Sequence, residues 1–210
     1  MRPARTLLVT AVVALLSLAL AGCGSQGSPV SDIVRPGNHG YQGTYVDPPY
    51  TVPAVTLRDN RSKPFTLARD DHDVDVVFFG YTNCPDVCQI VMGTITSAWL
   101  RLPKADRDRV RVVFVTTDPT RDDEQRLTSY LARFNPSFTG LTGDIDTIDR
   151  LGKPLGIFIK KGQKLPSGGY EVEHTTTVLG VSHGKASVLW TGGTSAAAMA
   201  SDLQRMLKAT

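Results

Sequence analysis

Val74-Asp75-Val76-Val77-Phe78-Phe79-Gly80-Tyr81-Thr82-Asn83-Cys84-Pro85-Asp86-Val87-Cys88 is the stretch on which the fold turns. Its first eight residues make a short, nearly unbroken apolar run, the pattern of a central strand buried on both faces. From Pro85 to Leu102 the period changes. Val87, Ile90, Val91, Ile95, Ala98, Trp99 and Leu102 trace one face of a helix. Pro85 suits the first helical position, which sets Cys84 near the cap and Cys88 one turn inside. Residues four apart on a helix share a face, so both sulfurs are expected to point at one spot. The orphan amides of a helix start favour the thiolate. A thiolate is both the nucleophile of disulfide exchange and the soft ligand that copper(I) selects. Three residues separate the pair, against two in the usual redox motif. A disulfide across so short a loop restrains the unfolded chain little, so chemistry explains the pair better than stability does.

Working outward, Val55 to Leu67 alternates around Asp59-Asn60-Arg61 and reads as a β-hairpin. Val110 to Thr116 is a second buried strand. Arg121 to Phe134 reads as a helix opened by Thr120, with Asp122-Asp123-Glu124 in its first turn, where negative charge suits the helix dipole. Ile145 to Leu151 is a shorter helix, and Gly156 to Ile159 starts a strand. Tyr170 to Val181 and Ala186 to Trp190 read as a hairpin through Ser182-His183-Gly184-Lys185, and Ser195 to Leu207 as a closing helix. This order of elements is an α/β layer pattern. It fits a thioredoxin-like fold with an extra β-hairpin insertion.

Two thiolates leave a copper ion short of donors. The best third candidate is His174, in Val172-Glu173-His174-Thr175-Thr176-Thr177-Val178, a loop-to-strand junction able to fold back beside the cysteine turn. A neutral imidazole suits either copper oxidation state. His39 falls in a Gly/Ser/Pro-rich segment, His72 among aspartates and His183 in a turn, positions with little to recommend them as ligands. Two acids stand close by in the pattern. Asp86 has the plain role of meeting helix amides and the sharper one of supporting a ligand or binding copper(II) weakly. Asp118 ends a strand before Pro119, where α/β sheets present functional groups, and its plain role is a turn or cap.

The N-terminus concerns compartment. Arg2 and Arg5 precede an apolar run from Leu7 to Ala21, too short for a comfortable membrane span and laid out as a signal peptide. The junction Leu20-Ala21-Gly22-Cys23 resembles the lipobox of bacterial lipoproteins, in which the cysteine is acylated. The expected organisation is a signal over 1–22, a flexible tether from lipidated Cys23 over 23–52 with some extended order near Tyr41 to Tyr50, and a copper-binding domain over 53–210. That implies a bacterial cell membrane, with the domain on its extracytoplasmic side. Without Arg2 and Arg5, the 23 basic residues become 21 against 20 acidic, a net of +1. No stretch is densely basic, which argues against nucleic acid as a partner.

The phrase Phe79-Gly80-Tyr81-Thr82-Asn83-Cys84-Pro85-Asp86-Val87-Cys88 resembles the Sco (SenC) proteins, copper proteins of cytochrome oxidase assembly. Thr117-Asp118-Pro119-Thr120-Arg121-Asp122 and Val172-Glu173-His174-Thr175-Thr176 agree with it, in order. The resemblance covers roughly Tyr50 to Thr210. It implies copper, as Cu(I) and also as Cu(II), on Cys84, Cys88 and His174. It further implies delivery to the dinuclear centre of cytochrome c oxidase subunit II or to another exported copper protein. Two features depart from the family pattern: Gln89 stands where many members have proline, and Val181-Ser182-His183-Gly184-Lys185 replaces an Asp-Gly turn. A thiol-disulfide oxidoreductase acting on exported cysteines is the alternative, and it needs the cysteines but not His174.

Overall fold

The computed structural model describes residues 37–69, 72–164 and 170–210. Cys23, the signal segment and residues 23–36 of the expected tether lie outside these residues. Val74–Gly80 forms the central strand, β4, and all seven of its residues are buried. It follows β1 (Thr44–Thr51), β2 (Leu57–Asp59) and β3 (Pro64–Phe65). After it come α1 (Val87–Arg101), α2 (Lys104–Arg107), β5 (Val110–Thr116), α3 (Glu124–Leu131), β6 (Thr139–Thr142) and α4 (Ile145–Gly152). The chain continues through β7 (Ile159–Lys164), β8 (Tyr170–His174), β9 (Val178–Ser182), β10 (Lys185–Trp190) and α5 (Ala196–Ala209).

Eight strands make one sheet in the order β1-β10-β9-β4-β5-β6-β2-β3. β4, β5 and β6 run parallel, with Val74 opposite Val110 and Gly80 opposite Thr116, while β9 lies antiparallel to β4. Alternation along the strand sends Val76 and Phe78 to one face and Val77 and Phe79 to the other. The first pair packs with Met92 and Ile95 of α1, Leu127 and Leu131 of α3, and Leu203 of α5. The second packs with Ile148 and Leu151 of α4 and with Leu179. Two apolar layers therefore sandwich the parallel strands, and their C-terminal ends open onto the Tyr81–Asp86 loop. This is the thioredoxin-like architecture read from the sequence. The front hairpin is present as β2–β3, with Leu57 opposite Phe65.

Three boundaries differ from the expectation. α1 begins at Val87, because Asp86 has φ −145° and ψ −61°, outside the helical region. Pro85 and Cys84 therefore belong to the preceding loop, and a residue before proline resists helical geometry in any case. α3 is shorter than Arg121 to Phe134. The Asp118 carbonyl takes the amides of Arg121 and Asp122 in a turn of its own, and the Asp123 side chain then caps the helix at Arg126 N. Tyr170 to Val181 is two strands, not one. Thr175 bonds Phe158 in both directions (3.0 and 2.9 Å), which breaks the run and leaves β8 to pair with β7 as a separate hairpin. The extended order near Tyr41 to Tyr50 is β1, at the edge of the sheet against β10. Buried Asp202 of α5 holds the chain just ahead of it, accepting from Gln42 N, Gly43 N and Trp190 Nε1, each at 2.8 Å.

Candidate metal centre

The loop after β4 and the end of β8 bring Cys84, Cys88 and His174 together, their sulfurs and an imidazole nitrogen all within 4.8 Å of one another. Cys88 Sγ lies 3.5 Å from His174 Nε2. The Cys88 amide, an orphan donor in the first turn of α1, donates to Cys84 Sγ at 3.3 Å. The sulfurs converge although only Cys88 is on the helix. Cys84 does the work of a cap from the loop, in place of the missing side-chain cap at Asp86.

Both cysteines are free thiols and buried, Cys84 at 4% and Cys88 at 0% exposure. The pair is deeper than a helix-end position suggests. Access is through a cavity of about 340 Å³ that Tyr81, Cys84, Asp86, Glu171, Glu173 and His174 help to line. Gly80 is required for this depth: a Cβ there would sit 2.9 Å from Phe114, 3.0 Å from Phe78 and 3.2 Å from Cys88 Sγ. His174 Nδ1 sits 3.0 Å from the Thr175 carbonyl. That contact places the proton on Nδ1 and leaves the Nε2 lone pair facing the sulfurs. The ring is packed edge-on against Tyr81 (5.8 Å between centroids, 87°) and Phe78 (6.1 Å, 63°).

The two thiols are unequal. A hydrogen bond from Cys88 holds the Cys84 thiol far below its ordinary pKa, with further donation from the Cys88 amide, against the opposing effect of burial. The same hydrogen bond, together with burial, pushes Cys88 up. In the reduced, metal-free protein Cys84 is thus the thiolate and Cys88 the proton donor at neutral pH. Iodoacetamide labelling followed by peptide mapping checks this. Cys84 should alkylate at a rate nearly flat across neutral pH, since its lowered pKa leaves it ionised throughout. Cys88 should stay unmodified. An ordinary exposed thiol, with a pKa near 8.5, rises roughly tenfold per pH unit below that value.

The aspartates separate. Asp86 is exposed and lines the cavity, and its carbonyl accepts from Gln89 and Ile90. Asp118 is 3% exposed, pairs with Arg121 and does not line that cavity; it organises a turn, which is its plain reading. The residue that the sequence reading missed is Asp122, taken there as a first-turn acid. It is fully buried and accepts from Thr82 N (2.9 Å), Thr82 Oγ1 (2.6 Å) and Thr116 Oγ1 (2.7 Å). It therefore ties the cysteine loop to the end of β5. Burial raises its pKa, and the Thr82 and Thr116 bonds oppose that rise. The chemistry of the cluster follows from its donors. Two soft sulfurs and a neutral imidazole suit copper(I), and one ionised thiol beside a protonated one also suits disulfide exchange. Among the described residues no helix is long and apolar enough to cross a membrane.

Comparison with known proteins points the same way. The SCO1/SenC family model matches residues 45–208. The mitochondrial SCO2 homolog of Danio rerio is 32% identical over 104 residues, 49% of this chain and 37% of that protein. The mitochondrial SCO2 of Saccharomyces cerevisiae is 29% identical over 120 residues, 57% of this chain and 40% of its own length. The chain thus spans less than two thirds of these curated relatives. Among solved structures, the apo Sco1 protein from Thermus thermophilus is 32% identical with a TM-score of 0.70, covering 79% of this chain and 96% of that one. Copper-bound ScoI of Bradyrhizobium japonicum is 27% identical with a TM-score of 0.67, covering 74% and 99%.

Proposed function

The chain belongs to the SCO1/SenC family, and from that footing we propose that it carries copper on Cys84, Cys88 and His174 and delivers it to the dinuclear copper centre of cytochrome c oxidase subunit II. One observation carries the reading: two sulfurs and an imidazole nitrogen lie within 4.8 Å of one another, with Cys84 and His174 lining a cavity and Cys88 buried behind them. Copper is cargo here. Thiolates hold copper(I), the Thr175 carbonyl orients the imidazole, and the cavity admits an incoming ligand from the recipient, so the ion passes by ligand exchange. Asp86, on the cavity wall, supports the site on its open side. A lipid on Cys23 would keep the domain at the outer face of a bacterial membrane, beside its recipient.

The inequality of the thiols favours a second reading, thiol-disulfide exchange. Cys84 thiolate attacks a substrate disulfide and releases one substrate thiolate. Cys88, giving up its proton, then displaces the second, leaving Cys84–Cys88 oxidised and the substrate reduced by two electrons. Mixing the copper(I)-loaded protein with the copper-free soluble domain of subunit II separates the two. The chaperone reading predicts that copper(I) leaves the protein for subunit II, and that the visible spectrum of the dinuclear centre appears once the mixture is treated with ferricyanide, which removes one electron per copper pair. Copper that stays in place, while the metal-free protein reduces an oxidised subunit II, would favour exchange.

A further inference from the structure

The loop that carries Cys84 is bounded by clefts of opposite charge. The cavity over Cys84 and His174 is lined on its rim by Asp86, Glu171 and Glu173, all exposed. The second cleft, about 280 Å³, has Thr82 and Asn83 at its edge and Arg126, Ser129, Tyr130 and Arg133 around it. It does not end there. Arg126 and Ser129 also line a cleft of about 440 Å³ that reaches Arg121. Arg133 also lines another of about 440 Å³, with Arg101 and the exposed Leu100 of α1. Three neighbouring clefts that share lining residues, with four arginines among them, thus make up a basic groove between the cysteine loop and the end of α1.

The carboxylate of the described residues lining this groove is Asp123, and it is engaged with the α3 amide of Arg126. The guanidinium groups rest on rings: Arg133 lies 4.7 Å from the Tyr130 centroid, and Arg121, held by Asp118, lies 5.8 Å from Tyr81. Tyr130 is 3% exposed, and its hydroxyl has no hydrogen-bond partner among the described residues. Arg121 is engaged by Asp118, whereas a guanidinium stacked on a ring, as Arg133 is on Tyr130, can present its planar donor edge to a carboxylate.

We propose that this groove docks an acidic, extended segment of the protein with which the chain exchanges copper. The identity of the partner rests on the copper reading; the groove does not. A lone small anion would engage one or two of these arginines, whereas a strand of acidic residues can meet Arg126, Arg133 and Arg101 and set an apolar residue against Leu100. The acidic rim beyond Cys84 repels the same segment, so the pair of clefts fixes one orientation of the partner over the metal ligands. Opposed charge also speeds encounter and weakens with salt.

The test uses the full chain in neutral detergent, metal-free and reduced, with a hexaglutamate peptide as probe, followed by amide NMR shifts. Saturable shifts are expected at Thr82, Asn83, Ser129 and Arg133, weakening as salt is raised. Arg126→Ala with Arg133→Ala should lower affinity about tenfold. The milder Arg126→Gln alone should lower it less, and Glu171→Gln with Glu173→Gln should not lower it. Shifts absent, or centred elsewhere, would overturn the proposal. So would glutarate or phosphate binding as tightly as the peptide, which would make the groove a small-anion site. Arginine-dependent capture by phosphatidylglycerol vesicles in preference to the peptide would make it a membrane contact instead. With no metal present, failure here leaves the copper assignment untouched, and failure of copper binding leaves this result untouched.

Discussion

Replacing Cys88 with serine should leave the fold intact and remove copper(I) binding. Cys88 is fully buried, and its sulfur lies 3.5 Å from His174 Nε2 and within reach of Cys84. Serine keeps the volume nearly unchanged and can still hydrogen-bond the imidazole, so the core has little reason to move. What it loses is the soft donor. A hydroxyl does not ionise at neutral pH and is a poor match for copper(I). Loss of a group that merely orients a ligand costs about 10–100-fold in metal affinity, and loss of a ligand should exceed that. The measurement is competition for copper(I) against a chelator of known affinity, with thermal melting run beside it. Retained affinity with an unchanged melt would remove Cys88 from the site.

The second large effect concerns Asp122, which touches no candidate ligand. Asp122→Ala leaves Thr82 N, and two hydroxyls that are buried or nearly so, without their acceptor. Each abandoned buried donor costs about 1–3 kcal/mol, so a loss on the order of 3 kcal/mol in urea unfolding is expected. Copper affinity should weaken too, because Thr82 is two residues from Cys84. Asp122→Asn is the control. Its carbonyl can replace the oxygen that accepts from Thr82 N and Thr116, and its amide can donate to Thr82 Oγ1, so it should cost about 1 kcal/mol or less. The pH dependence has a definite sign. Folding raises the pKa of Asp122, so its contribution to stability is greatest when it is protonated and declines as pH rises through the folded-state value. Wild type should therefore gain on Asp122→Asn as pH is lowered into the carboxylate range. A difference independent of pH would mean that burial does not govern this group.

Asp122 also shows where sequence reading stops. Its partner Thr82 is forty residues away, and nothing local distinguishes a buried loop anchor from an acid in a helix's first turn. The central strand was legible because burial on both faces writes itself as an apolar run. Helix α1 was legible by its period, but its start was not, because the start depends on the dihedral angles of Asp86 and on the sulfur of Cys84 taking an amide. The break between β8 and β9 hid for a different reason. Thr175-Thr176-Thr177 has strand-like composition, and only the contact with Phe158 shows that the chain turns there. Cys84 and Cys88 could be picked from their spacing, but His174 rested on its place in the order of elements. The fold supplies what the sequence could not, a hairpin that carries His174 to within 3.5 Å of Cys88.

The most direct test of the central claim is a copper(I) titration of the reduced, anaerobic protein beside the His174→Ala variant, with metal content measured after gel filtration. The account predicts one tightly held copper per wild-type chain, and a variant weakened by more than about 100-fold that still exchanges disulfides. No stoichiometric copper in the wild type, or equal affinity in the variant, would contradict it and leave Cys84 and Cys88 as a redox pair.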